Sequence, residues 1–165
     1  MSNLQRHCNE CTLCCKLLPV AEIHKQASVK CIHQRSLQGC AIYHKASFPL
    51  SCRAWSCVWL LDSDTIHLAR PDRSHYVIDP SPDYVTAKID DEIFYMGALQ
   101  IWVDPNHREA HRDPALRNYL LNQFERFNQL GLIRYNSVDA IVLIPPALSS
   151  KNIWLEHPTS LAPDR

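Results

Sequence analysis

Residues 8–15 read CNECTLCC: four thiols in eight residues, the last two adjacent. Three chemistries use thiols this dense, namely a disulfide framework, a redox-active pair, and a metal held by thiolates. All eight cysteines of the 165-residue chain lie between Cys8 and Cys57, and the last 108 residues carry none. The opening MSNLQRHCNECTLCC lacks the charged-then-apolar pattern of a secretory leader. No apolar run is long enough to cross a bilayer. The expectation is a cytoplasmic chain with no membrane partner. In that reducing compartment disulfides are rare, and clustered cysteines serve metals more often. Neighbours such as Cys14 and Cys15 also pair with each other only under strain.

Thiolates bind zinc tetrahedrally, and a Cys-x2–4-Cys step lets two sulfurs from one turn reach one ion. Cys8–Cys11, Cys11–Cys14 and Cys52–Cys57 have such steps. Cys31 and Cys40 stand farther apart, so their loop must fold back. Eight thiols fill two four-cysteine sites or one two-metal cluster with shared sulfurs, and the spacing leaves both open. The run also opens like a bacterial ferredoxin, but Cys15 follows at once where Cys-x3-Cys-Pro is needed. The candidate ligands are Cys8, Cys11, Cys14, Cys15, Cys31, Cys40, Cys52 and Cys57. The candidate cofactor is zinc or iron, an iron–sulfur cluster included. His33 reads as a partly exposed histidine beside the metal loop, with direct ligation or orienting a ligand from behind as alternatives, and Arg53 is a candidate to donate hydrogen bonds to metal-bound sulfur.

Charge is distributed unevenly. Residues 1–57 hold seven Lys and Arg against Glu10 and Glu22, a net of +5, and the remainder is −5. An anionic partner such as nucleic acid is one explanation. The other is internal: eight thiolates and two divalent cations bring the first part from +5 to about +1. The lysines are scattered and not striped, which favours the internal explanation and disfavours nucleic acid.

The chain divides into a cysteine part, residues 1–60, and an α+β part, residues 61–165, within one domain. The first has few apolar periodic segments and depends on a metal staple for its order, with one short helix expected near Pro19–Gln26 from Val20, Ile23 and Ala27. In the second, HYVI (75–78), DYVTAKI (83–89), IFYMGALQIWV (93–103) and SVDAIVLI (137–144) read as strands. Between them DPALRNYLLNQFERFNQLG reads as the main helix, with Asp113 as N-cap, Pro114 first, and Gly131 as the C-terminal cap. Leu116, Tyr119, Leu120, Phe124, Phe127 and Leu130 make its apolar face. The tail after Pro146 is expected to wrap the surface without regular structure. The fold class is α+β: an irregular metal-stapled module packed on a short, mainly antiparallel sheet with one main helix.

The remaining candidates carry less. His7 and His44 read as solvent-facing. His107 and His111 in HREAH are not HExxH, and solvated surface is the better reading. An ordinary charged turn is the better reading of RPDRSHYVID (70–79); anion binding and closure over the cysteine part are the alternatives. Only three glycines occur, each isolated, so no nucleotide or dinucleotide loop can be drawn.

CNECTLCC, with Lys25, Cys31-Ile-His33, Gly39-Cys40-Ala-Ile-Tyr43 and Pro49-Leu-Ser-Cys52-Arg53-Ala-Trp55-Ser-Cys57, resembles the YkgJ-type cysteine-cluster family over residues 8–60. Where that family often has an Arg-Pro pair, this chain has Phe48-Pro49 and two extra residues. The resemblance implies zinc or iron chelation and no defined reaction, although some relatives methylate lysines of flagellin. The isolated glycines argue against a methyl-donor site of the usual kind. The expected function is metal binding with a structural, partner-docking or metal-handling role. An iron–sulfur redox protein or enzyme is the alternative.

Overall fold

The computed structural model describes residues 6–160. From residue 6 to residue 74 the described chain builds short elements. These are α1 (Leu13–Leu17), a ribbon of β1 (Gln34–Arg35) against β2 (Gly39–Cys40), then α2 (Leu50–Ala54), α3 (Val58–Leu61) and α4 (Pro71–Ser74). Helices this short do not hold themselves in water, so packing must fix them. The helix expected near Pro19–Gln26 is a single 3-10 turn, Ala21–Ile23. His24 stops it in the left-handed region at φ 50°, and a bridge between Val20 and Lys25 closes it.

Five strands follow: β3 (Tyr76–Ile89), β4 (Glu92–Val103), β5 (Gln129–Arg134), β6 (Asp139–Ile144) and β7 (Leu155–Ser160), side by side in that order. All neighbours are antiparallel except β4 and β5, which are parallel. A parallel pair needs a long crossover, and the main helix, α5 (Pro114–Phe127), lies within it. Mixed α and β with a mainly antiparallel sheet and one main helix is what the sequence led us to expect.

Three boundaries differ. HYVI and DYVTAKI are one strand, with a register shift between Asp79 and Asp83. Pro80 and Pro82 do not break it because β3 is a sheet edge, where a missing N–H costs no ladder bond. The expected loose tail supplies the other edge, β7, in which Pro158 is tolerated for the same reason. Finally, α5 ends at Phe127. Asn128 is the left-handed cap at φ 56°, its N–H bonded to Phe124 O at 2.9 Å. Leu130 and Gly131 belong to β5, and Phe127, expected in the core, is exposed.

Pleating sends alternate side chains to opposite faces. On one face Leu116, Tyr119 and Leu120 of α5 pack with Ile101, Val103, Ile133 and Leu143. Each such side chain contributes about 1.5–3 kcal/mol when fully buried. Gly131 permits the approach, since a Cβ there would stand 3.1 Å from Leu120 Cδ1 and 3.4 Å from Leu143 Cβ. On the other face Val77 and Trp102 meet Leu13, Leu17, Ala27 and Cys57. The cysteine-bearing segment is thus a layer on that end of the sheet. Among the described residues no helix is long and apolar enough to cross a membrane.

Candidate metal centre

The eight cysteines are positioned by turns more than by regular structure. Cys8 and Cys11 share one turn, with Cys11 N–H donating to Cys8 O at 2.7 Å. Cys14 and Cys15 ride on α1. The backbone of Cys31 is tied to Cys15 O at 3.0 Å, and Cys40 sits in β2. Cys52 is in α2, and Cys57 starts α3. Gly39 lets the ribbon fold back: its φ is 86°, and a Cβ there would lie 2.9 Å from Asn9 O in the Cys8–Cys11 turn. All eight are free thiols; Cys8 is exposed, Cys57 buried, and the rest lie between.

Electrostatic influence groups them. Burial pushes the Cys57 thiol up to about 11, and the charges of Cys8 and Cys11 add to this. Burial likewise raises Cys52, with Cys15, Cys31 and Cys40 as its thiol neighbours. Cys14 and Cys15 stand between these groups. Cys14 donates a hydrogen bond to Cys15, which holds Cys15 down at about 7 despite its burial. The same bond, then burial, then the charges of Cys15, Cys8 and Cys11, push Cys14 well above the thiol range. The charge influences thus link Cys57 with Cys8 and Cys11, and Cys52 with Cys15, Cys31 and Cys40, while Cys8 also feels Cys15.

Several side chains hold this patch together, and two of the contacts fasten it to the sheet. Arg6 donates to Trp59 O at 2.6 Å and Thr65 Oγ1 at 2.7 Å. Arg70 reaches Glu10, between Cys8 and Cys11, at 2.9 Å, so RPDRSHYVID does close over the cysteine part. Lys16 meets the buried Asp104 carboxylate at 2.6 Å. Asp79 accepts the indole N–H of Trp55 at 3.0 Å and of Trp102 at 3.3 Å, linking the Cys52–Cys57 loop to β4. Lys25 is buried with its ammonium on three backbone carbonyls. The Arg6, Lys16 and Asp79 contacts join residues more than 20 apart along the chain, which no local pattern reveals.

Arg53 does not serve sulfur. It is exposed, donating to Lys45 O and Phe48 O at 3.2 Å each and lying over the Phe48 ring, so the role expected for it is withdrawn. His33 is half-buried, and its backbone carbonyl accepts from Ala41 N–H at 2.8 Å. The HREAH histidines part company: a kink at His107 breaks the 3-10 helix Pro105–Arg112. His111, expected on the surface, is buried with Nε2 3.1 Å from Glu156 of β7, the strand that the sequence did not reveal.

Among the described residues, the trio of donor atoms within 4.8 Å of one another is His75, Asp104 and His107, and no three cysteine sulfurs come that close. The trio is nonetheless a poor cation site as it stands. The two imidazoles are parallel within 3° at 3.6 Å, so an ion in the plane of one ring is out of the plane of the other. Asp104 already accepts Lys16 and the N–H of Asn106. The cysteines have the opposite character: spread sulfurs with donor chemistry suited to a soft ion. A groove of about 420 Å³ beside them is lined by Ser51, Ala54, Trp55, Ser56, Leu61, Pro80 and Ser81, none of them an acid or base for catalysis. Comparison with models of protein families, with curated proteins and with solved structures finds no match to this chain.

Proposed function

We propose that this chain is a metal-binding protein of the YkgJ type, chelating zinc or iron through its eight clustered cysteines. Two four-thiolate sets divide the work: Cys8, Cys11, Cys14 and Cys57, and Cys15, Cys31, Cys40 and Cys52. One observation carries the reading. Eight free thiols from five separate segments are gathered into one layer on the sheet, with Cys57, Cys11 and Cys14 in its apolar contact and Cys31 tied by its backbone to Cys15. A buried ammonium with no carboxylate partner stands among them, as suits a patch whose anions are thiolates.

A bound metal supplies a staple that short helices and loops cannot provide for themselves. The protein's own residues do the rest. Arg6 ties the start of the cysteine segment to Trp59 and Thr65, Arg70 holds the Cys8–Cys11 turn through Glu10, and Leu17 and Trp102 pack beneath it. Closed four-thiolate sites favour a structural or partner-docking role, and a labile ion would instead make it a metal-handling protein.

The test is metal content by mass spectrometry with an absorption spectrum, on protein purified without oxygen or a metal-affinity tag. Two zinc ions per chain and no visible colour is the expected outcome. Iron with matching sulfide and a brown charge-transfer band would keep the ligands but move the role to redox chemistry. No metal and eight reactive thiols would overturn the proposal.

A further inference from the structure

Among the described residues Lys25 is the buried lysine. The residue is 8 % exposed, and Nζ donates to Lys16 O and Gln26 O at 3.1 Å each and to Leu18 O. Among the described residues no carboxylate stands within ion-pair distance of it. Burying an ammonium without an anion is costly, and carbonyl dipoles offset only part of the lost hydration. Two of its carbonyls, Lys16 O and Leu18 O, lie on the stretch that follows the Cys14–Cys15 pair directly, and ionised Cys31, Cys15, Cys14 and Cys52 would favour its charge. The backbone bond from Cys31 N–H to Cys15 O closes the loop that carries it into their midst.

A cation at the C-terminal end of a helix is common, and Lys16 O and Leu18 O lie at the end of α1. That role does not explain the burial. α1 has five residues, too short for much of a dipole, and an exposed lysine caps carbonyls equally well.

We propose that Lys25 is the resident countercation of the thiolate set Cys15, Cys31, Cys40 and Cys52, opposing the net charge of −2 that four thiolates and a divalent ion carry. The inference rests on the metal-binding reading above. It gives the charge of Lys25 opposite effects in two states. With metal in place the ammonium faces an anion and tightens binding. With metal stripped, and in a buffer acidic enough to keep the four thiols protonated (the condition for the melting test below), the ammonium is buried and unpaired, and it destabilises the fold.

The experiment uses Lys25→Gln in the full chain, because the amide still donates to the carbonyls while the charge is lost. Cobalt(II) is titrated in anaerobically, its thiolate charge-transfer and d–d bands counting the ions, and the thermal midpoint of the chelator-stripped protein is recorded. Expected is one cobalt bound as in wild type and the second weakened about 10- to 100-fold, the range for partners that support ligands from behind. Stripped Lys25→Gln is expected to melt no lower than stripped wild type. Two cobalt ions held as tightly as in wild type would overturn the proposal. So would a stripped variant that melts lower or fails to fold, since that is the signature of a helix cap. Wild-type protein that takes up no cobalt would instead defeat the metal-binding reading, and this inference with it.

Discussion

Cys14 and Cys15 are chemically unequal although they are neighbours. The proton that Cys14 donates stabilises the Cys15 thiolate, so Cys15 ionises first, near 7, while Cys14 is driven up. Only the thiolate attacks an electrophile. In chelator-stripped protein, iodoacetamide should label Cys15 at a rate that climbs through pH about 7. Buried Cys57, held up at about 11, should stay unlabelled across the neutral range. Cys14→Ala removes the donor and should move the Cys15 midpoint upward, toward the ordinary thiol value of about 8.5. Peptide mapping after timed alkylation reads both. A midpoint that does not move in Cys14→Ala would remove the hydrogen bond from the account. The adjacency was visible in the sequence; the direction of the bond was not, because it depends on which sulfur the fold buries deeper.

Among the elements, the end of α5 shows what local pattern can and cannot specify. Asp113 and Pro114 start the helix as their chemistry dictates, with Asp113 Oδ1 accepting Ala115 N–H at 3.0 Å. At the other end a glycine three residues downstream was the obvious cap, but Asn128 tolerates the left-handed region well enough to stop the helix earlier. QLGLIR then has little strand signature of its own and owes its state to pairing on both sides with β4 and β6. Likewise β7 became visible only through its partner β6, and Glu156 with it. The roles of Asn128 and Gly131 can be separated. Asn128→Gly should raise stability by up to about 1 kcal/mol, since glycine adopts positive φ freely. Gly131→Ala should lower it by about 1–3 kcal/mol by overpacking, because Leu120 and Leu143 are both buried and have no room to yield. Urea unfolding of both variants decides this; stabilisation by Gly131→Ala would mean that α5 does not press on β5 there.

At the scale of the whole molecule, the question is whether the thiol layer and the sheet unfold as one. The +5 and −5 halves meet in Lys16–Asp104, and the apolar contact that joins them includes Cys57 itself, with Cys11 and Cys14 beside it. Burial works against the ionisation of Asp104, but the Lys16 hydrogen bond, the Asn106 N–H and the ammonium's charge outweigh it and hold the carboxyl below its usual range. A depressed carboxyl contributes stability above its unfolded value, about 4, and that contribution is lost as pH falls through the folded value. Acid should therefore loosen this junction as it protonates the thiolates. Asp79 tests the coupling at neutral pH. Its two oxygens receive Trp55, Ser81 N–H and Trp102, one donor from the thiol layer and two from the sheet. Asp79→Ala leaves those donors without their acceptor, at a cost of about 1–3 kcal/mol for each that stays buried. Because Cys57 and Trp102 share one apolar cluster, the variant should melt in a single transition, lower than wild type both with and without metal. Its metal affinity should fall too, since metal that binds only the folded layer is linked to the stability of everything packed with it. Two separate transitions, with metal affinity unchanged, would mean that the thiol layer closes on its ions independently and that the sheet is only its platform.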